Sequence, residues 1–434
     1  MSASAIGLTG IVALLILLML RIPVAFAMFL VGFLGIWQLN GWNAAMSLLS
    51  SETFTLASNP ELVVVPLFIL MGNVASHTGM SRQLYDAAYA AIGQVRGGLA
   101  SATVIGCGGF AALSGSSVAS ALTMGKVSLA QMDRFDYNPR LSTGCVAAGG
   151  TLGILIPPST GFVIYAILTE QSIGRLFLAG VLPGILLLTA FVATITIICW
   201  LRPEYGPGGP STSFAEKTQA MVRALPILVT IMLTIGGIYA GFFSPVEASG
   251  VGAGLAILYG VVTRRLDLRT FWNACQDSIV TTATVMLILI AAHLVNPFLA
   301  LSHIPSAVGD FLNAMDLGVT GTLLVILAIY LVLGCFLEGF AMLVLTLPIF
   351  FPVILDLGID PIWFGVLAVL TLEMGLISPP VGINVFIVKS VAPNVELGEI
   401  FRGVLPFWGA MVVTLILLVA FPQISLFLPE TMIN

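Results

Sequence analysis

Residues 149–161 read GGTLGILIPPSTG and residues 371–382 read TLEMGLISPPVG. In each, a glycine (Gly153 or Gly375) stands four residues ahead of a Pro-Pro pair inside a long apolar stretch. Proline lacks a backbone donor and stops a helix. In a bilayer such a stop is tolerated only where other groups satisfy the freed carbonyls. One diproline alone could be a simple kink. Two matching stops, one in each half of the chain, are the sequence mark of a transporter whose binding site lies near the membrane midplane.

The rest of the composition fits a bilayer. The 434 residues are 59% hydrophobic and only 8% charged, where a soluble domain carries about 25% charged residues. No basic run suggests nucleic acid. The five cysteines (Cys107, Cys145, Cys199, Cys275, Cys335) lack paired or metal-type spacing and read as small core residues. The N-terminal MSASAIGLTG has no basic n-region, so no cleaved signal peptide is expected.

Apolar spans are expected near 4–20, 22–40, 60–78, 141–168, 175–201, 222–241, 243–262, 276–302, 361–389 and 403–428. A crossing helix needs roughly 20 residues. The overlong 141–168 and 361–389 suit helices broken in the middle. Two further stretches, about 99–130 and 317–354, are interrupted by SGSS (114–117) and LEGF (337–340) and read as re-entrant hairpins. The more polar 81–97 and 305–316 are expected as surface helices bracing those hairpins.

These features recur at a nearly constant offset. Pro23-Val24 matches Pro245-Val246, Asn138-Pro139 matches Asp360-Pro361, and Gly153 with Pro157-Pro158 matches Gly375 with Pro379-Pro380, all 222 residues apart. Ordered, nearly gap-free matches point to a duplication. Charge then orients the halves. Arg82, Arg96, Lys126, Arg134 and Arg140 fall between 81 and 140, whereas 305–361 has no basic residue and carries Asp310, Asp316, Glu338, Asp356 and Asp360. Basic loops stay cytoplasmic, so the two halves are opposed. The expected fold is an all-α integral membrane protein of two inverted-topology repeats. Each has about five crossings, one re-entrant helical hairpin and one discontinuous helix. The first repeat covers 1–201, a flexible cytoplasmic linker 202–221, and the second repeat 222–434. Both termini are expected on the outer face.

The unwound backbone before each diproline exposes carbonyl oxygens, and a hairpin tip from the same half adds hydroxyl and carbonyl oxygens. Such a cage suits Na⁺, while helix N-termini at the same breaks suit an anion. Four residues are candidates for substrate contact: Ser117 at the first tip, Thr160 and Asn384 just after the breaks, and Glu338 at the second tip. For Thr160 and Asn384, bonding within their own helix is an equal alternative. An acid in a membrane segment is costly, so Glu338 reads either as part of an outer gate or substrate site or as a water-facing rim residue. Glu373 reads either as an aid to the cation site or as a buried, hydrogen-bonded acid. His77, His293 and His303 lack metal spacing, and Lys389 and Arg402 read as interface anchors. No G-x-x-x-x-G-K-[ST], H-E-x-x-H or G-x-S-x-G string occurs.

Taken together, GCGGFAALSGSS (106–117), GTLGILIPPS (150–159), FSPVEASGVGA (243–253) and GLISPPVGINVF (375–386) resemble the large membrane subunit of the tripartite ATP-independent periplasmic (TRAP) transporters. SPVEAS departs from the more usual T-P-T-E-A-A form. The resemblance covers nearly the whole chain and implies a Na⁺-driven elevator carrier of the bacterial inner membrane, not an enzyme. Its cargo would be an organic acid such as a C4-dicarboxylate, sialic acid or a sugar acid. A soluble periplasmic binding protein would deliver it, and a small four-helix membrane subunit would widen the scaffold. It also implies two Na⁺ sites. Carried onto this sequence, the first comprises Ser114, Ser116, Gly153, Ile156 and Pro158. The second, by the repeat, comprises Gly339, Gly375, Ser378 and Pro380. The rival readings are a stand-alone ion–carboxylate carrier that needs no binding protein, and a non-transport membrane scaffold or enzyme.

Overall fold

The computed structural model describes residues 2–432, and the regular structure among them is helical. The first half comprises α1 (Ala3–Met19), α2 (Val24–Asn40), α3 (Trp42–Ser58), α4 (Val64–His77), α5 (Met80–Ile92), α6 (Gly98–Ser114), α7 (Ser117–Arg134), α8 (Pro139–Leu155), α9 (Thr160–Thr169) and α10 (Ile173–Leu201). The second comprises α11 (Phe214–Tyr239), α12 (Pro245–Val262), α13 (Leu268–Leu301), α14 (Ile304–Ala314), α15 (Gly318–Gly334), α16 (Gly339–Asp356), α17 (Pro361–Gly375), α18 (Ile383–Val391), α19 (Leu397–Ala420) and α20 (Gln423–Glu430). Eight helices among the described residues are long and apolar enough to cross a membrane.

Local chemistry explains where the helices begin. Ser213 and Ser244 open α11 and α12 with reciprocal capping boxes to Glu216 and Glu247. Asn138 and Asp360 open α8 and α17 with a side-chain oxygen on the first free N–H groups, and each is followed by proline at the first helical position. Helix α3 is absent from the expected spans because SSETFT makes it too polar to read as a crossing. Position 264–299, the 222-residue counterpart of α3 and α4, is covered by the single 34-residue α13. Proline 422 separates α19 from α20 inside what reads as one span, 403–428.

The hydrogen bonds define two ends of the molecule. At one, Gly97 N donates to Gly206 O (2.8 Å) and Asn138 N to Tyr205 O (3.0 Å). This gathers the loops that carry Arg96, Arg140 and Arg202. At the other, Tyr165 Oη donates to Pro361 O (2.6 Å). Thus α8 starts at the basic end and α9 finishes at the opposite one, where α17 begins. Val391, the last residue of α18, and residues 392–395 beyond it line a cavity with Lys126 and Pro139 back at the basic end. The two broken helices run in opposite directions and are buried along almost their whole first segments.

The linker is not a free tether. Besides the Tyr205 and Gly206 bonds, Gly209 N donates to Gly93 O (2.9 Å) and Thr212 Oγ1 to Ala90 O (2.8 Å), strapping it along α5. Helix α11 begins at Phe214, earlier than residue 222, because Ser213 supplies the cap. Helix α5 is also more than a surface arm, since Met80, Leu84, Tyr85 and Ala88 are buried.

Candidate ion and substrate site

The first hairpin tip is shaped by three residues. Gly115 takes a left-handed conformation (φ 60°) that ends α6. Ser116 caps α7 through Ala119 N (3.3 Å), and Ser114 Oγ lies 3.2 Å from Ser120 Oγ. The tip is seated in the first break. A Cβ on Gly153 would lie 2.5 Å from the Ser116 carbonyl oxygen, and a Cβ on Gly115 would lie 2.6 Å from the Pro158 oxygen. Only glycine allows either approach. Thr160 Oγ1 donates to Gly115 O (2.8 Å), closing tip and break together. Ser114, Ser116, Gly153 and Pro158 are thereby brought into one place. Ile156 sits in the same break, but its side chain packs against Gly184 and Gly108, leaving only its backbone for an ion.

The diproline decides what this place can bind. In an uninterrupted helix the N–H of residues 157 and 158 would serve the carbonyls of Gly153 and Ile154, and both are proline. No donor among the described residues replaces them. Buried carbonyls left without donors are costly; Gly153 and Ile154 are both buried, and the tip that carries Ser114 and Ser116 is seated against Gly153.

The second break differs. Gly375 O accepts from Ser378 N (3.0 Å), and Leu376 O accepts from Asn384 N (3.0 Å). Ser378 Oγ donates to Met374 O (2.6 Å) and accepts from Trp408 Nε1 (2.9 Å). Gly375 faces Gly334 at the end of α15, with a Cβ 2.5 Å from its carbonyl carbon. Gly339 meets the Leu372 side chain, one turn short of the break. Pro379 and Pro380 are exposed, whereas Pro157 and Pro158 are buried. The four residues assigned by the repeat are therefore not gathered as the first set is.

The substrate candidates also separate. A cavity of about 120 Å³ is lined by Ser114, Ser116 and Thr160, by Asn73 and Ser76 of α4, and by Phe340 beyond the second tip. Of the candidates, Thr160 faces it. Ser117 is buried, and its Oγ donates to Glu373 Oε1 (2.8 Å) across 256 residues of sequence. Glu338 caps α16 through Ala341 N (3.4 Å) and is exposed. Asn384 is fully buried, with both amide atoms unpartnered. Sequence reasoning missed Asn73 and Ser76, which sit inside an ordinary apolar helix with no local signal. Lys389, read as an interface anchor, donates instead to the carbonyls of Pro393 and Val395. His77 and His293 pair with Asp277 and Glu52.

Known proteins resemble this chain in sequence, and others resemble it in fold. A family model described as "Tripartite ATP-independent periplasmic transporter, DctM component" matches residues 11–424. The C4-dicarboxylate TRAP transporter large permease protein of Pseudomonas aeruginosa is 37% identical, over 88% of this chain and 89% of its own length. The sialic acid large permease protein of Vibrio cholerae is 32% identical, over 95% and 96%. The ectoine large permease protein of Halomonas elongata is 30% identical, over 95% and 96%. Among solved structures, the YdaH transporter of Alcanivorax borkumensis shares the fold at a TM-score of 0.64 and 14% identity, covering 88% of this chain and 89% of that one. Neisseria gonorrhoeae MtrF does so at 0.61 and 15%, covering 89% and 85%. A chain matched over residues 11–424 by this model, and over most of its length by relatives named as large permeases, belongs to the DctM-component family of tripartite ATP-independent periplasmic transporters.

Proposed function

We propose that this chain imports an organic acid across the bacterial inner membrane, driven by an inward Na⁺ gradient. A periplasmic binding protein delivers the cargo, and a small membrane subunit completes the scaffold. The observation that carries this reading is the first break, where the Gly153 and Ile154 carbonyls lack donors beside the hydroxyls of Ser114 and Ser116. The cavity next to it supports the coupling. It offers hydroxyl and amide groups and no basic side chain. A carboxylate entering such a site needs a counter-charge from elsewhere, and a co-bound Na⁺ supplies one.

The opposed broken helices support two inverted repeats, with both termini on the periplasmic face. The cavity between the first tip and α4 supports an elevator movement in which tips and broken helices slide past a scaffold containing α4 and α13. The relatives are named for C4-dicarboxylate, sialic acid and ectoine, so the cargo is taken only as far as a small organic acid or zwitterion. The test is uptake by proteoliposomes holding the chain with its small subunit and binding protein. Uptake should require an inward Na⁺ gradient, and equal uptake with K⁺ replacing Na⁺ would remove the coupling.

A further inference from the structure

Where α8 and α19 start and α10 ends, at the basic end of the molecule, lies a cleft of about 270 Å³. Arg140, Arg202, Arg402 and Tyr205 line its polar side, and Ile198 and Leu201 line its apolar side. One acid serves two of these three guanidinium groups. Glu399 holds Arg140 through both carboxylate oxygens and lies 3.4 Å from Arg402. Arg202 has no acidic partner among the described residues. Its Nη1 donates to Tyr205 Oη (2.7 Å), which leaves the phenol proton free to donate onward. Three positive charges against one negative leave a net attraction for an anion.

The surroundings say which anion. Leu201, which lines the cleft, and its sequence neighbour Trp200 are 66% and 79% exposed. Tryptophan at this level is typical of the boundary between headgroups and hydrocarbon. Guanidinium binds phosphate through paired N–H groups, and basic pockets between membrane helices hold anionic lipid headgroups. We propose that this cleft binds the phosphodiester headgroup of an acidic glycerophospholipid, with Arg202 and Arg402 on the phosphate and the acyl chains along Ile198 and Leu201.

The test uses the full chain purified in detergent and titrated with dioleoyl phosphatidylglycerol, dioleoyl phosphatidylcholine or inorganic phosphate. Saturable binding of phosphatidylglycerol is expected, with the zwitterionic lipid binding at least tenfold more weakly. Each guanidinium removed should weaken binding by roughly fivefold, so Arg202→Ala with Arg402→Ala should lose roughly 25-fold. Lysine at both positions should restore most of the affinity. Arg202→Gln alone leaves the Arg140–Glu399 pair in place and carries the same test if the double variant does not purify. Unchanged phosphatidylglycerol affinity in these variants, or equal affinity for phosphatidylcholine, overturns the proposal. Full competition by millimolar inorganic phosphate overturns the lipid assignment in favour of a free-phosphate site.

Discussion

The two diproline breaks share a motif and a spacing yet have been finished differently. The first is buried, roofed by its hairpin tip, and keeps two carbonyls without donors. The second is exposed at its prolines, and its carbonyls are answered from within by Ser378 and Asn384, with Trp408 braced against Ser378. One reason lies in the tips. SGSS is small enough for Ser116 to press on Gly153, whereas in the second half Gly334, ahead of the tip, takes the seat against Gly375. Equal motifs thus give one break with carbonyls left unanswered and one that is largely self-satisfied.

The largest effect should come from Gly153→Ala. Its methyl would meet the Ser116 backbone, which cannot turn aside as a side chain could. Overpacking of this kind costs about 1–3 kcal/mol, and uptake should fall to background while the chain still purifies. Retained uptake would mean that the tip is not seated in the break during transport. Next is Ser114→Ala, expected to raise the Na⁺ concentration for half-maximal uptake by about tenfold, the worth of roughly 1.4 kcal/mol for a charge-facing oxygen. Glu373→Ala would leave the buried Ser117 hydroxyl without its acceptor, at about 1–3 kcal/mol. It should lower the thermal midpoint by several degrees, and Glu373→Gln should restore most of that. Equal losses for the two variants would show that the negative charge, not the hydrogen bond, matters. Smallest is Ser378→Ala, expected to cost about 1 kcal/mol of stability with less than a threefold change in Na⁺ dependence. An effect as large as that of Ser114→Ala would erase the contrast between the breaks.

Both breaks and the helix interruptions at SGSS and LEGF could be read from the chain because proline and glycine act locally. A missing N–H or a missing Cβ fixes the backbone whatever packs around it. Asn138-Pro139 and Asp360-Pro361, noted in the sequence only as a repeat match, cap and open α8 and α17 by the same local chemistry. What stayed hidden depends on partners far along the chain. Glu373 meets Ser117 across 256 positions and Glu399 meets Arg140 across 259, and no spacing rule reaches that far. The repeat carried no information on how each tip packs: Gly339 meets the Leu372 side chain and Pro380 is exposed, unlike their first-half counterparts. The linker misled because its glycines, which look like slack, are what let its backbone lie against Gly93 and Gly97.

The seams between the halves have a consequence for biogenesis. Ser117, Arg140 and Tyr165 each find their partner only among residues beyond 360, and Gly144 lies against Gly403. As the polypeptide leaves the ribosome, its amino-terminal portion has the serine, arginine and tyrosine ready long before anything can pair with them. The contacts that join the two halves are therefore completed only when translation is nearly over. A gene split at the linker should yield stable protein only when both fragments are made in the same cell.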